Sequence, residues 1–144
     1  MKRPPLGVGV IGLGDAAGHH LPALLSLPEA RLLAMADVNR ERLRDRSERF
    51  QVKAAFDDYR RLLDHPGVDI VAILTPPAFH LEMALAAMEA GKHILLEKPI
   101  TTTLDEATIL CEKARRYEGK ICVAYNLRLR VRSSFFGRRW TRAG

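Results

Sequence analysis

The chain has 144 residues, a formal net charge of +6 and two cysteines, which suits one domain with a real core and excludes a disulfide scaffold. No long uncharged apolar run occurs, and Met1 to Pro5 lead straight into the first apolar segment, so neither a membrane span nor a signal segment is expected and the protein is assigned to the cytoplasm. The positive charge is uneven: nothing acidic follows Glu118, whereas Lys120, Arg128, Arg130, Arg132, Arg138, Arg139 and Arg142 do, which leaves the preceding sequence close to neutral. A basic arm without a recognition motif does not make a nucleic-acid partner, and none is expected.

Strands and helices are predicted to alternate. Leu6 to Ile11 reads as a buried strand running into Gly12-Leu13-Gly14-Asp15-Ala16-Ala17. These residues have the spacing of a dinucleotide fingerprint. Gly12 allows the tight turn, Gly14 lets backbone approach a pyrophosphate, and small Ala17 lets the helix pack on the strand. Asp15 and Ala16 belong to the helix opening, whose N–H groups and positive dipole end face the phosphates. The first helix is predicted over Ala17 to Leu27, with Pro22 tolerable near its first turn.

A second strand, Leu32 to Ala36, ends in Asp37, about 20 residues beyond the glycines, where such folds place an acid on the adenine ribose. A charged helix follows from about Arg40 to Phe50, with Asn39 or Asp37 as N-cap. A short strand at Ala54 to Phe56, a brief helix at Tyr59 to Leu63 and a turn at His65-Pro66-Gly67 precede the apolar strand Asp69 to Leu74. Next come a helix from Phe79 to Ala90 with Gly91 at its end, and a strand at His93 to Leu96. A Thr103–Glu106 capping pair opens a helix to about Tyr117, and Lys120 to Ala124 is the sixth strand. Cys111 and Cys122 lack metal-ligand spacing and are expected as buried reduced thiols. The pattern predicts an α/β, doubly wound, mostly parallel sheet of the Rossmann type, with ligands at the carboxyl ends of the strands.

Asp37 also bears on the cofactor. A carboxylate accepts from both ribose hydroxyls and repels a 2′-phosphate, which favours NAD, while Arg40 could swing toward a phosphate and leave NADP as a second option. The stripe Leu81, Leu85 and Met88 reads as core packing.

The segment Gly12 to Leu24, the loop Thr75-Pro76-Pro77-Ala78-Phe79-His80 and above all Glu97-Lys98-Pro99 resemble the Gfo/Idh/MocA oxidoreductases, over about Leu6 to Arg128. The resemblance implies an N-terminal Rossmann domain that binds NAD or NADP, a second α+β domain that completes the active site, and hydride transfer at a carbon bearing a sugar or cyclitol hydroxyl. It makes Lys98 the catalytic residue, orienting the reacting oxygen and stabilising its developing charge. Glu97 would lie near the nicotinamide ribose, and Thr75 and Pro76 would offer backbone along the cofactor. His80 matches the family pattern but, like His19 and His20, is expected to cap or pack locally. The cofactor-side candidates are therefore Gly12, Gly14, Asp15, Ala16, Ala17, Asp37, Asn39, Arg40, Thr75, Pro76, His80, Glu97 and Lys98, with no metal ligand.

Tyr125 to Arg128 still follow the family pattern, and from about Val131 the match ends. Residues 1–128 are expected to form the dinucleotide-binding domain. Residues 129–144 form a basic tail, read as disordered or as the cut-short start of a second domain, from truncation, frameshift or a naturally short form. The sequence thus reads as the NAD(P)-binding domain of an oxidoreductase of sugar- or cyclitol-like alcohols, inactive without a second domain and self-associating as a dimer through bare apolar surface. A non-catalytic dinucleotide-binding or interaction module is the alternative.

Overall fold

The computed structural model describes residues 4–125; the tail at 129–144 lies outside them. The elements in chain order are β1 (Leu6–Ile11), α1 (Asp15–Leu25), β2 (Ala30–Ala36), α2 (Arg40–Arg49), β3 (Ala54–Phe56) and α3 (Tyr59–Leu63), then β4 (Ile70–Ile73), α4 (His80–Glu89), β5 (His93–Leu96), α5 (Leu104–Arg115) and β6 (Ile121–Val123). All pairings are parallel, and the strand order is β3-β2-β1-β4-β5-β6. The chain therefore reverses its direction of travel between β1 and β4. That switch point opens a crevice at the carboxyl ends of the two strands, where a doubly wound sheet takes its ligand.

Alternation along the strands splits the core in two. Val8, Val10, Met35, Ala72 and Leu74 pack with Ala17 and Leu21 of α1 and Leu43 of α2. Ala34, Ala36, Val71, Ile73, Ile94 and Leu96 pack with Leu62, Ala84, Ala87 and Leu110 on the opposite face. Both faces are thus covered, as the near-continuous apolar strands require. On the second face a Cβ at Gly9 would stand 2.6 Å from Leu62, so the missing side chain is what lets α3 sit close to β1.

The caps follow local chemistry. Asn39, rather than Asp37, caps α2, its side chain accepting from the Arg42 N–H at 3.0 Å. At α5 the capping box is complete in both directions, from the Glu106 N–H to Thr103 Oγ1 and from the Thr103 N–H to Glu106 Oε2, each 3.2 Å. Hydrogen bonds from the Thr102 hydroxyl, above all, and from the Thr102 and Thr103 backbone hold the Glu106 carboxyl below its ordinary value.

Two expectations are corrected. α1 begins earlier and ends earlier than its predicted limits, so Pro22 stands well inside it rather than near the first turn. Proline there removes the N–H that would serve the Gly18 carbonyl. Both Pro22 and Gly18 are exposed, so water can serve that carbonyl instead. The two cysteines are free but exposed rather than buried. Cys111 follows Leu110, the buried residue of α5, and so points to another side of the helix. Cys122 sits on β6, the strand at one edge of the sheet.

Candidate functional site

The glycine turn fixes the centre of the site. Gly12 has a φ of +87°, and a Cβ there would stand 2.9 Å from the Leu74 carbonyl carbon and the Thr75 nitrogen. Backbone conformation and close approach both demand glycine, and the result is that the turn after β1 presses against the end of β4. A Cβ on Gly14 would instead meet only Arg42 Nη1, at 3.9 Å. Gly14 is the N-cap of α1 and supplies no side-chain cap, so among the described residues the Asp15 and Ala16 N–H groups have no side-chain partner, while the Ala17 N–H bonds the Gly14 carbonyl at 3.1 Å.

Asp37 sits beside this turn. Its side chain is buried, with Oδ2 accepting from the Leu13 N–H at 2.8 Å and from Arg42 Nη1 at 3.2 Å, and Oδ1 accepting from the Asn39 N–H at 2.8 Å. These charge-assisted bonds hold the carboxylate in one orientation against the end of β1. A cleft of about 670 Å³ opens in front of it, lined among others by Gly12, Gly14, Asp15, Asp37, Val38, Thr75, Pro76 and Phe79. That volume lies in the range of small-molecule sites. Val38 and Phe79 are exposed and give the cleft apolar surface.

A smaller lobe of about 360 Å³ lies on the other side of the turn, lined by Asp15, Ala16, His19, His20, Leu74, Thr75, Glu97 and Lys98. Asp15, Leu74 and Thr75 border both lobes. The two lobes adjoin at the start of α1 and the end of β4. In the small lobe Glu97 Oε1 lies 3.1 Å from His20 Nε2, while Glu97 Oε2 accepts from the Lys98 N–H at 2.6 Å. The Lys98 side chain is exposed, and the Lys98–Pro99 peptide bond is cis.

Most residues expected at the cofactor do border these lobes. Ala17, Asn39, Arg40 and His80 do not line either lobe. Ala17 is wholly buried beneath the turn, the packing position assigned to a small residue. Asn39 caps α2, and Arg40 donates to Asp57 at 2.9 Å with its side chain 84% exposed. His80 is wholly buried, with Nδ1 2.8 Å from the Pro99 carbonyl oxygen and Nε2 2.8 Å from that of Thr75. It ties the loop after β4 to the turn after β5.

Several lining residues were not singled out from the sequence. Arg42, in the first turn of α2, reaches Asp37; His20, expected to cap or pack locally, instead reaches Glu97 across 77 positions of sequence. Tyr59, Arg60 and Glu82 form the far wall of the larger cleft. There the Tyr59 hydroxyl and Arg60 Nη2 each donate to Glu82 Oε1 at 2.8 Å. Burial first, then the Glu82 carboxylate, pushes the Tyr59 phenol up to about 12. Among the described residues no three His, Cys, Asp or Glu side chains are grouped to hold a metal ion, and no helix is long and apolar enough to cross a membrane.

Residues 6–125 match the model of an oxidoreductase family with an NAD-binding Rossmann fold, GFO_IDH_MocA. The chain is 31% identical over 121 residues to myo-inositol 2-dehydrogenase of Thermotoga maritima, covering 84% of this chain and 36% of that protein. Among solved structures, a probable dehydrogenase from Thermotoga maritima superposes with a TM-score of 0.82 at 32% identity, over 85% of this chain and 37% of that one. Levoglucosan dehydrogenase in complex with NADH gives a TM-score of 0.81 at 32% identity, over 86% and 36% of the two chains. The chain thus spans about a third of the length of the relatives it matches.

Proposed function

Because this chain belongs to the Gfo/Idh/MocA oxidoreductases and carries their NAD-binding Rossmann fold, we propose that the two-lobed depression is the dinucleotide site and that the reaction served is hydride exchange with a sugar- or cyclitol-like alcohol. In this reading the adenosine half lies in the larger cleft, with Asp37 accepting from the ribose hydroxyls and the base against Val38 and Phe79. The pyrophosphate lies over Gly12 and Gly14 at the start of α1, where Asp15 and Ala16 present backbone N–H groups. The nicotinamide half reaches the Glu97–Lys98 lobe past Thr75 and Pro76. NAD, when bound, supplies the hydride acceptor. Lys98 then holds its ammonium against the substrate oxygen and stabilises negative charge there, while His20 and the Lys98 backbone orient Glu97. The observation that carries this reading is the oriented, buried Asp37 beside a glycine turn that a Cβ at residue 12 would close.

The substrate class rests on relatives named for inositol and levoglucosan. Lys98 is exposed, and no described residue roofs it, so water would reach the reacting carbon. Residues 1–128 are accordingly proposed as the cofactor-binding unit, requiring a further domain for turnover. Calorimetric titration tests the site: the chain is expected to bind NAD, and Asp37→Ala to weaken binding about tenfold or more. Absence of NAD binding would sink the reading. Steady-state assays with inositols and sugars are expected to give no turnover by this chain, and Lys98-dependent turnover would refute the requirement for a second domain.

A further inference from the structure

The geometry points to Arg42, and not Arg40, as the residue that decides between a 2′-hydroxyl and a 2′-phosphate on the adenine ribose, and assigns the chain NADP as a second ligand. This rests on the dinucleotide reading of the cleft. Arg42 is placed by the cap of its own helix, its N–H bound by Asn39 Oδ1 at 3.0 Å. Its guanidinium stands 3.2 Å from Asp37 Oδ2 and 3.9 Å from where a Cβ on Gly14 would be. It therefore stands between the acid at the end of β2 and the glycine turn, on the border of the cleft. Arg40 does not line the cleft itself; its guanidinium is held by Asp57, a residue of the cleft wall, and makes no contact with Asp37.

Counting acceptor sites shows why Arg42 matters to both cofactors. Each carboxylate oxygen has about two lone-pair sites. Oδ2 already accepts from the Leu13 N–H and Arg42, and Oδ1 from the Asn39 N–H. With Arg42 in place, Asp37 has one site left, on Oδ1, too few for two ribose hydroxyls. NAD must therefore displace the guanidinium from Oδ2. Its side chain is 45% exposed, so it can swing out without leaving a void. A 2′-phosphate reverses the preference. The guanidinium then turns from Asp37 to the phosphate, which it can grip with two N–H groups, and offsets the carboxylate's repulsion.

The test is calorimetric titration of the chain with NAD and NADP at low and moderate salt, for wild type, Arg42→Ala, Arg42→Lys and Arg40→Ala, with circular dichroism to verify that each is folded. Wild type is expected to bind both, NAD more tightly. Arg42→Ala should weaken NADP about tenfold or more and lower the NADP-to-NAD affinity ratio by a similar factor. It should also flatten the salt dependence of NADP binding. Arg42→Lys keeps the charge without the fork and should fall between. An unchanged NADP-to-NAD ratio in Arg42→Ala, or the same loss produced by Arg40→Ala, would overturn the assignment while leaving the dinucleotide site standing. Failure of wild type to bind either cofactor would overturn both.

Discussion

The lobe at the end of β2 holds its acid in place before any ligand arrives, whereas the lobe at the end of β5 presents its lysine to solvent. Asp37 is buried, and both of its oxygens are already engaged with backbone N–H groups. Lys98 is exposed, although the turn beneath it is tied down through His80 to the loop after β4. A carboxylate that must fix a ribose gains from preorganisation within one domain. A lysine that must meet a second reactant gains from being accessible. On the proposed reading, recognition of the dinucleotide is built into the carboxyl edge of the sheet, while shielding of the reacting carbon is expected from a further domain.

The sharpest way to break this contrast lies in the glycine turn between the lobes. Gly12→Ala forces an L side chain into positive φ and against the backbone of Leu74 and Thr75, and should cost about 2–4 kcal/mol. Gly14→Ala meets open space and should cost less than about 1 kcal/mol, yet weaken NAD binding because its methyl group intrudes where the pyrophosphate approaches. Denaturant unfolding beside calorimetry separates the two. Equal stability losses would mean that Gly14, too, is structural.

A smaller effect is expected from the two key side chains. Asp37→Ala leaves the Leu13 N–H without its partner and should lose about 1–3 kcal/mol of stability. Lys98→Ala, at an exposed position, should stay within about 0.5 kcal/mol of wild type and keep its affinity for NAD. If Lys98→Ala destabilised the chain as much as Asp37→Ala, the lysine lobe would be as tightly built as the acid lobe.

The smallest effect concerns the far wall of the cleft. Tyr59 ionises near 12 against an ordinary value of 10.0, so its neutral form is favoured in the folded state. That contribution is complete below pH 10 and is lost as pH rises through about 12. Glu82→Gln should bring the phenolate absorbance midpoint of Tyr59 back toward its ordinary value. A midpoint that does not move would assign the shift to burial alone.

The alternation of strands and helices, the Thr103–Glu106 box and the glycine spacing were legible in the sequence because each is set by residues a few positions apart. So was Asp37, since its place follows from the length of one strand–helix–strand unit. Partner choice was not. Arg40 and Arg42 share a helix and a charge, and only the way α2 lies on the sheet turns one to Asp57 and the other to Asp37. His20 and Glu97 meet because α1 and the end of β5 border the same crevice, which no local pattern encodes. Pro22 is compatible with the interior of α1 because its side of the helix is exposed, and Cys122 is exposed because β6 is an edge strand. Sequence by itself determined which elements form and which chemistry their ends carry, because backbone geometry is local. Tertiary structure alone decided which charged groups face one another, because side-chain contacts depend on how distant segments pack.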